Sequence, residues 1–143
     1  MLYQSQSVGD TQKLAADLAA EFIKSTPSLK LRRASVVTLE GELGAGKTTF
    51  VQAFAKALSI DIPIRSPTFV LIKSYHLEVE PPSSGYRTLY HIDCYRLRDE
   101  NDLLPLGIEK ILTDPENIVL IEWADRLKKI LPPLAHNRLS LFE

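Results

Sequence analysis

The apolar positions along the chain follow first the period of an amphipathic helix and then that of a buried strand. Apolar side chains at four-residue spacing predict a helix over residues 11–24, with Asp10 or Thr11 as its N-cap. The segment ASVVTL is short, β-branched and apolar, which is typical of a strand buried in a parallel sheet. After a glycine-rich turn, TTFVQAFAKAL places its large apolar residues on one helical face and predicts a second helix.

The second half of the chain predicts a hairpin followed by another buried strand. FVLIKSYHL begins fully apolar and then alternates in polarity, and RTLYHIDCYRL alternates throughout. The Pro/Ser/Gly-rich segment between them predicts a long-looped antiparallel hairpin. DENDLLPLGIEKIL predicts a short helix, interrupted near Pro105 and Gly107, and then a second helical turn. NIVLIEW predicts a buried strand, ADRLKKIL a helical segment and RLSLF a last strand. These elements predict a single α/β domain over residues 1–143.

The charge and composition of the chain disfavour several classes of protein. The 143 residues carry a formal net charge of −1, whereas a free-standing nucleic-acid-binding protein usually has a strong basic excess. We therefore do not expect direct, tight binding of RNA or DNA. The single cysteine excludes an internal disulfide and fits a reducing compartment. No apolar run approaches the ~18 residues of a membrane span, and the N-terminus lacks the pattern of a secretory signal, so we expect a soluble, cytoplasmic protein.

The glycine-rich turn carries the clearest chemistry. The segment GELGAGKT, residues 41–48, fits G-x-x-x-x-G-K-[ST] without a mismatch and lies between a predicted strand and a predicted helix. Glycines let several backbone N–H groups converge on one anion, Lys47 can reach the β- and γ-phosphates, and the Thr48 hydroxyl can ligate Mg²⁺. The alternative is a glycine turn that caps an ordinary helix. We expect the nucleotide to contact Glu42, Leu43, Gly44, Ala45, Gly46, Lys47, Thr48 and Thr49.

The loop also sharpens the fold prediction. With the parallel strands around it, the segment predicts an α/β fold of the P-loop NTPase type: a three-layer sandwich with a mostly parallel central sheet and an antiparallel hairpin. A Mg²⁺–triphosphate site in such a fold needs a carboxylate at the end of a neighbouring strand. Glu122 ends the run IVLIE and would ligate the metal or orient the attacking water. Most P-loop proteins have an aspartate there, and an exposed strand-end glutamate is the alternative.

A second carboxylate lies in LYHIDCYRL. If the strand persists, His91, Asp93 and Tyr95 share one face, so Asp93 and Arg96 both face a site only if the strand ends near Asp93. Asp93 would then act near the metal or its water, and Arg96 would stabilise charge. The alternative is a surface ion pair on the hairpin. We interpret His91 as a structural histidine rather than a proton shuttle.

Two further segments have weaker signals. In RSPTF, Pro67 holds Ser66 extended, which can aim Thr68 towards the γ-phosphate as switch loops do. A plain connecting turn explains the same residues. Trp123, the only tryptophan, is expected on local grounds to serve packing.

Taken in order, the blocks GELGAGKTTF, SPTF, YHIDCYRL, LGIEKI and LIEW resemble the TsaE (YjeE) family. The family consists of small bacterial P-loop ATPases needed to make threonylcarbamoyladenosine in tRNA. The resemblance spans residues 9–126, and the combination of blocks is more specific than the P-loop alone. The family usually has a further strand after the segment that corresponds to RLSLFE, whereas this chain stops at Glu143, which leaves that strand's contacts open.

The resemblance implies an ATPase that works as a subunit beside TsaD- and TsaB-type proteins and meets tRNA indirectly, through that complex. It implies that Thr48 and Glu122 hold Mg²⁺ and that Lys47 binds phosphate. It further implies that Asp93 and Trp123 matter for activity. Because the sequence shows no clear arginine finger and no complete catalytic set, we expect weak hydrolysis by the chain alone. ATP rather than GTP is likewise an implication of the family, to which the sequence adds only the absence of an N-K-x-D motif.

The resemblance also bears on residues outside the P-loop and the two carboxylates. Ser66 and Thr68 match the switch-like loop of the family, so they and Trp123 join the expected nucleotide contacts. Cys94 stands where the family often has an aliphatic residue, and we expect no function for it. Two other functions stay open: a small nucleoside or nucleotide kinase, with Asp93 and Arg96 near the acceptor, and a non-catalytic module gated by nucleotide.

Overall fold

The computed structural model describes residues 5–25, 33–61, 63–64, 71–78 and 85–127, and the backbone of residues 136–140. The helices are α1 (Val8–Lys24), α2 (Lys47–Ala57) and α3 (Ile108–Thr113). The strands are β1 (Ser35–Glu40), β2 (Ile72–His76), β3 (Thr88–Asp93), β4 (Asn117–Glu122) and β5 (His136–Ser140). Two 3₁₀ segments, Glu100–Leu106 and Ala124–Leu127, precede α3 and follow β4.

The strands form one sheet in the order β2-β3-β4-β1-β5. The pairs β3–β4, β4–β1 and β1–β5 are parallel, and β2 pairs antiparallel with β3. The predictions of a mostly parallel sheet and an antiparallel hairpin are therefore confirmed. In this register Glu122 lies opposite Asp93 on one side and Leu39 on the other. The carboxyl ends of β1, β3 and β4 consequently meet at one edge, next to the loop that leads into α2.

Each face of the sheet has its own apolar core, which confirms the three-layer architecture. One core joins the sheet to α1 and α2 through Phe22, Val37, Leu39, Phe50, Phe54, Leu89, Ile118 and Leu120. The other joins it to α3 and the 3₁₀ segments through Val36, Ile92, Leu103, Ile108, Val119, Ile121 and Leu127. All six residues of β4 are buried, because helical layers cover both faces of this central strand. Among the described helices, none combines the length and apolar character that crossing a bilayer requires.

The start of α1 differs from its prediction. The N-cap is Ser7, whose extended backbone ends the preceding segment and whose side chain accepts a hydrogen bond from the Asp10 N–H at 3.1 Å. The prediction of Asp10 or Thr11 was wrong because Val8 is 64% exposed and Gly9 is a poor helix former, so the first turn has no apolar signal. Thr11 instead packs inside, where its Oγ1 lies 2.6 Å from the Ser5 hydroxyl.

The interruption predicted near Pro105 is confirmed. The first segment is a 3₁₀ helix capped by Asp99, and Gly107 then adopts a left-handed conformation with φ of 81° before α3 begins. The left-handed backbone of Gly107 changes the direction of the chain between the 3₁₀ segment and α3. Leu103, before it, and Ile108, after it, are both fully buried in the same core.

The ring of Phe54 packs in the core between the sheet and helices α1 and α2, so truncating this side chain should lower the stability of the fold strongly. It is fully buried between Phe22, at a centroid distance of 5.8 Å, and Phe50, at 5.9 Å. Phe54→Ala should lower the free energy of unfolding by about 3–5 kcal/mol, because it removes these contacts and leaves a cavity. Leu104→Ala, at a position that is 43% exposed, is the control and should cost less than about 1 kcal/mol in urea unfolding. Equal losses in the two variants would contradict this core.

Gly46, which immediately precedes α2, and Gly9, which lies in α1, should respond in opposite ways to replacement by alanine. Gly46 has φ of 90°, and an added Cβ would meet Thr11 Oγ1 at an ordinary 3.6 Å. Gly46→Ala is thus strained by conformation rather than by collision, and should destabilise the fold by about 1–2 kcal/mol. Gly9 lies inside α1, where Gly9→Ala should stabilise by up to about 1 kcal/mol. Urea unfolding without nucleotide measures both, and a stabilised Gly46→Ala variant would refute the strained loop.

Candidate functional site

The loop between β1 and α2 has the backbone of an anion cradle. Gly41, Gly44 and Gly46 all have positive φ, of 148°, 85° and 90°, which residues with a side chain rarely adopt. Gly46 is the N-cap of α2 and offers no side chain to its first turn. The N–H groups of that turn have no intrahelical partner, so they and the positive end of the helix dipole favour an anion at this position.

Lys47 is held under the loop. Its side chain is buried, and Nζ donates hydrogen bonds of 2.7 Å to the carbonyl oxygens of Gly41 and Glu42. Burial lowers the pKa of Lys47, while the nearby carboxylates of Glu122 and Asp93 act in the opposite direction. Because both direct acceptors are neutral carbonyls, a phosphate oxygen would be a stronger partner for this ammonium group.

Two carboxylates lie beside Lys47, at the ends of neighbouring strands. Glu122 is only 3% exposed, and its Oε1 has no hydrogen-bond partner among the described residues. Asp93 is half-buried, and its Oδ1 accepts a 3.0 Å hydrogen bond from the Tyr95 N–H. Burial raises the pKa of Asp93, and so does the adjacent Glu122. The Tyr95 N–H, His91 and Lys47 lower the pKa of Asp93. The edge of the sheet therefore holds acidic groups that are poorly compensated by the protein itself.

An aromatic pair forms one wall of the same site. The rings of Tyr95 and Trp123 lie 5.1 Å apart, and Lys47 Nζ is 4.3 Å from the centre of the Trp123 ring. Trp123 has φ of 58°, an unusual value for a bulky residue, and its N–H donates to the Leu39 carbonyl.

Tyr95 was not predicted as a site residue from the sequence. The only sequence signal was its place on the Asp93 face, and β3 ends at Asp93, so a turn rather than the strand positions it.

These groups enclose a cleft of about 280 Å³. Its lining consists of Leu43, Gly44, Gly46, Lys47, Thr48, Thr49, Asp93, Tyr95, Glu122 and Trp123. The structure thus brings together most of the residues singled out in the sequence. Arg96 is exposed and is not part of this lining. Ser66 and Thr68 lie outside the described residues.

A second cleft, of about 330 Å³, adjoins the loop on the side of α1. Gly44, Gly46 and Thr49 line both clefts, and Ala45 lines only this one. On the far side its wall includes the buried hydroxyl pair of Ser5 and Thr11. The cradle is therefore flanked by an acidic cleft on one side and a neutral, hydroxyl-lined cleft on the other.

The donor set can be tested against Mg²⁺. Glu122, whose Oε1 has no hydrogen-bond partner among the described residues, and the hydroxyl-bearing Thr48 line the same cleft, and both side chains supply the oxygen atoms that Mg²⁺ prefers. Among the described residues no three His, Cys, Asp or Glu side chains form a metal-binding group. Since Mg²⁺ is usually held by one or two carboxylates together with substrate phosphates, these residues fit a metal that arrives with a nucleotide.

Cys94 lies next to the site but is not available to it. The side chain is fully buried, and burial raises the pKa of its thiol to about 12. A thiol of this kind is a poor nucleophile at neutral pH. The structure offers it only a packing position in the second core.

Comparison with known proteins supports one family over nearly all of the chain. The sequence profile described as "Threonylcarbamoyl adenosine biosynthesis protein TsaE" matches residues 5–142. The proteins named "tRNA threonylcarbamoyladenosine biosynthesis protein TsaE" include those of Bacillus subtilis, which is 40% identical over 84% of this chain, and of Nostoc sp., 46% identical over 68%. The matched regions span 65% and 57% of those two proteins. In the Rickettsia bellii protein of the same name, 31% identical, the match covers 99% of this chain and 90% of the relative.

A solved structure points the same way. The crystal structure of YdiB from Bacillus subtilis superposes with a TM-score of 0.62 at 33% identity, over 90% of this chain and 67% of that one. The resemblance expected from GELGAGKTTF, YHIDCYRL and LIEW is thereby confirmed, together with the P-loop fold that it implied. On the profile match, the relatives and the shared fold, the chain belongs to the TsaE family.

Proposed function

We propose that the chain is an ATP-binding and ATP-hydrolysing subunit that supports the threonylcarbamoyladenosine modification of tRNA, in one P-loop domain over residues 1–143. The observation that supports this most directly is the meeting of Lys47, Asp93 and Glu122 in a single cleft beside the phosphate cradle. The names of the relatives supply the pathway. The single cysteine and the tRNA-modification pathway of the relatives support the cytoplasm as the compartment that we propose.

The two clefts suggest how the nucleotide is bound. In this proposal the phosphates lie on the loop from Glu42 to Thr49, where the backbone N–H groups of the cradle and Lys47 contact them. The nucleoside extends into the hydroxyl-lined cleft on the side of α1. Lys47 then exchanges its two carbonyl partners for phosphate oxygens, a stronger, charge-assisted interaction. Ser66 and Thr68 are proposed to close over the γ-phosphate.

Hydrolysis is proposed to depend on the acidic edge of the sheet. Thr48 and Glu122 would hold Mg²⁺, which when bound supplies positive charge to the β- and γ-phosphates. Glu122 would also orient the attacking water, since it combines deep burial with an oxygen that has no protein partner. Asp93 supports it from the next strand, and the Trp123 ring, in contact with Lys47, keeps bulk water from the phosphates.

The proposed partners are TsaD- and TsaB-type proteins, which would bring the tRNA. The near-neutral charge of the chain favours an indirect role at the tRNA, because a direct grip on phosphates needs a basic surface. The kinase alternative gains no support here, since Arg96 is exposed and does not line the cleft with Asp93. The nucleotide-gated module differs from our proposal in one consequence: it does not require Glu122 to act in hydrolysis.

The decisive comparison is phosphate release from Mg²⁺ and ATP by the wild type and by Glu122→Gln, with and without purified TsaD- and TsaB-type proteins and tRNA. We expect the partners to stimulate release by the wild type, and Glu122→Gln to lower it by about 10²–10⁴-fold, because the amide cannot accept a proton from water. Binding of ATP by the variant should persist. Glu21→Gln, which changes an exposed glutamate of α1, is the control and should behave as wild type.

Each other result has a distinct meaning. Partners that neither bind nor stimulate the chain would refute the subunit role. Undiminished tRNA modification with Glu122→Gln would favour the nucleotide-gated module. Appearance of a phosphorylated nucleoside instead of inorganic phosphate would favour the kinase.

A further inference from the structure

The residue that the proposed mechanism leaves unused is His91. It lies on β3, two residues before Asp93, and its Cα pairs with Leu120 of β4, two register positions before the Asp93–Glu122 pair. The side chain is fully buried, and neither ring nitrogen has a hydrogen-bond partner among the described residues. Its Nε2 is 3.6 Å from Glu122 Oε2. A structural histidine would be expected to have its ring nitrogens satisfied, and this one does not.

Both side chains include buried polar atoms without a hydrogen-bond partner among the described residues, namely the two ring nitrogens of His91 and the Oε1 of Glu122. Buried polar atoms are nearly always hydrogen-bonded, and here the imidazole and the carboxylate that face each other both contain unpartnered atoms. An approach of about half an ångström would turn the 3.6 Å contact into an ordinary N–H···O hydrogen bond. The other nearby groups are engaged elsewhere: Lys47 Nζ donates to two loop carbonyls, and Asp93 Oδ1 accepts from the Tyr95 N–H. No lysine or arginine among the described residues lies as near to the Glu122 carboxylate.

We propose that His91 is a positioning residue for Glu122: its imidazole donates Nε2–H to Oε2 and so fixes the orientation of the carboxylate beside the cleft. This inference rests on the proposed function of Glu122 in hydrolysis. The length of the glutamate gives the physical reason. It has one more rotatable bond than the aspartate usual at this place in P-loop proteins, so a single carboxylate position must be selected from more rotamers. A hydrogen bond from His91, beside the end of β4, would select one rotamer of Glu122 before the nucleotide binds.

The kinetic test uses three variants of the full-length chain. His91→Leu removes the donor, and steady-state phosphate release should show a kcat about 10–100-fold lower with KM for ATP within about twofold. His91→Gln keeps an N–H near the Nε2 position and should restore most of kcat. In the Glu122→Gln background, His91→Leu should cause no further loss, because the imidazole acts only through that carboxylate.

Thr38→Val is the matched control. Thr38 is also buried with an unpartnered side-chain oxygen, but it lies on β1 and alternates to the opposite face of the sheet from Leu39, the register partner of Glu122. Its kcat should equal that of the wild type. Thermal unfolding and binding of a non-hydrolysable ATP analogue show whether each variant is folded. A Thr38→Val loss as large as that of His91→Leu would overturn the inference in favour of general core damage.

A spectroscopic measurement tests the hydrogen bond without turnover. The chain has three histidines, so ¹⁵N labelling of histidine gives few resonances to assign. In the nucleotide-free wild type, we expect His91 as the Nε2–H tautomer, with its proton shifted downfield relative to the Glu122→Gln variant. The Nδ1–H tautomer, or a proton shift unchanged in Glu122→Gln, would overturn the inference.

The outcomes separate the inference from the function on which it rests. A wild type that releases no phosphate under any condition overturns the proposed hydrolysis, whatever the imidazole spectrum shows. A wild type that hydrolyses ATP beside an equally active His91→Leu variant overturns only the positioning role.

Discussion

The parallel, in-register pairing of β3, β4 and β1 is the constraint on which the rest of the structure depends. It places Asp93 opposite Glu122 and Glu122 opposite Leu39, and so gathers the ends of three strands at one edge. The loop that follows β1 can then turn directly over that edge before α2 begins. Residues that are far apart in sequence share one cleft because their strands end at the same level.

Burial of charge at this edge explains why the site favours a ligand. Lys47 and Glu122 are nearly inaccessible and Asp93 is half-buried, although charged groups are rarely found inside without partners. Burial lowers the pKa of Lys47 and raises the pKa of Asp93, which shows that both charged forms are disfavoured as the protein stands. A polyphosphate with a divalent cation would provide opposite charges to each. The proposed nucleotide therefore completes the electrostatics of the fold as well as filling its cleft.

The elements with strong local patterns were predicted correctly, whereas an exposed first turn without an apolar signal and a position set by a turn were not. The strands ending at Glu40 and Glu122 are apolar runs, and the helix after the loop has a clear apolar face. The start of α1 was misplaced, because its first turn is exposed and its cap is defined by the backbone of Ser7. Tyr95 was overlooked, since a turn after β3 rather than the strand period sets its place.

The sequence by itself determined the phosphate cradle, the order of strands and helices, and the family. A glycine pattern followed by Lys47 specifies backbone conformation and charge within a few residues, so it can be read locally. Only the tertiary structure decided which polar groups meet: Glu122 with Asp93, the Trp123 ring with Lys47, and His91 beneath Glu122. Those contacts depend on strand register and on burial from two helical layers, which are properties of the assembled sheet and not of any one segment.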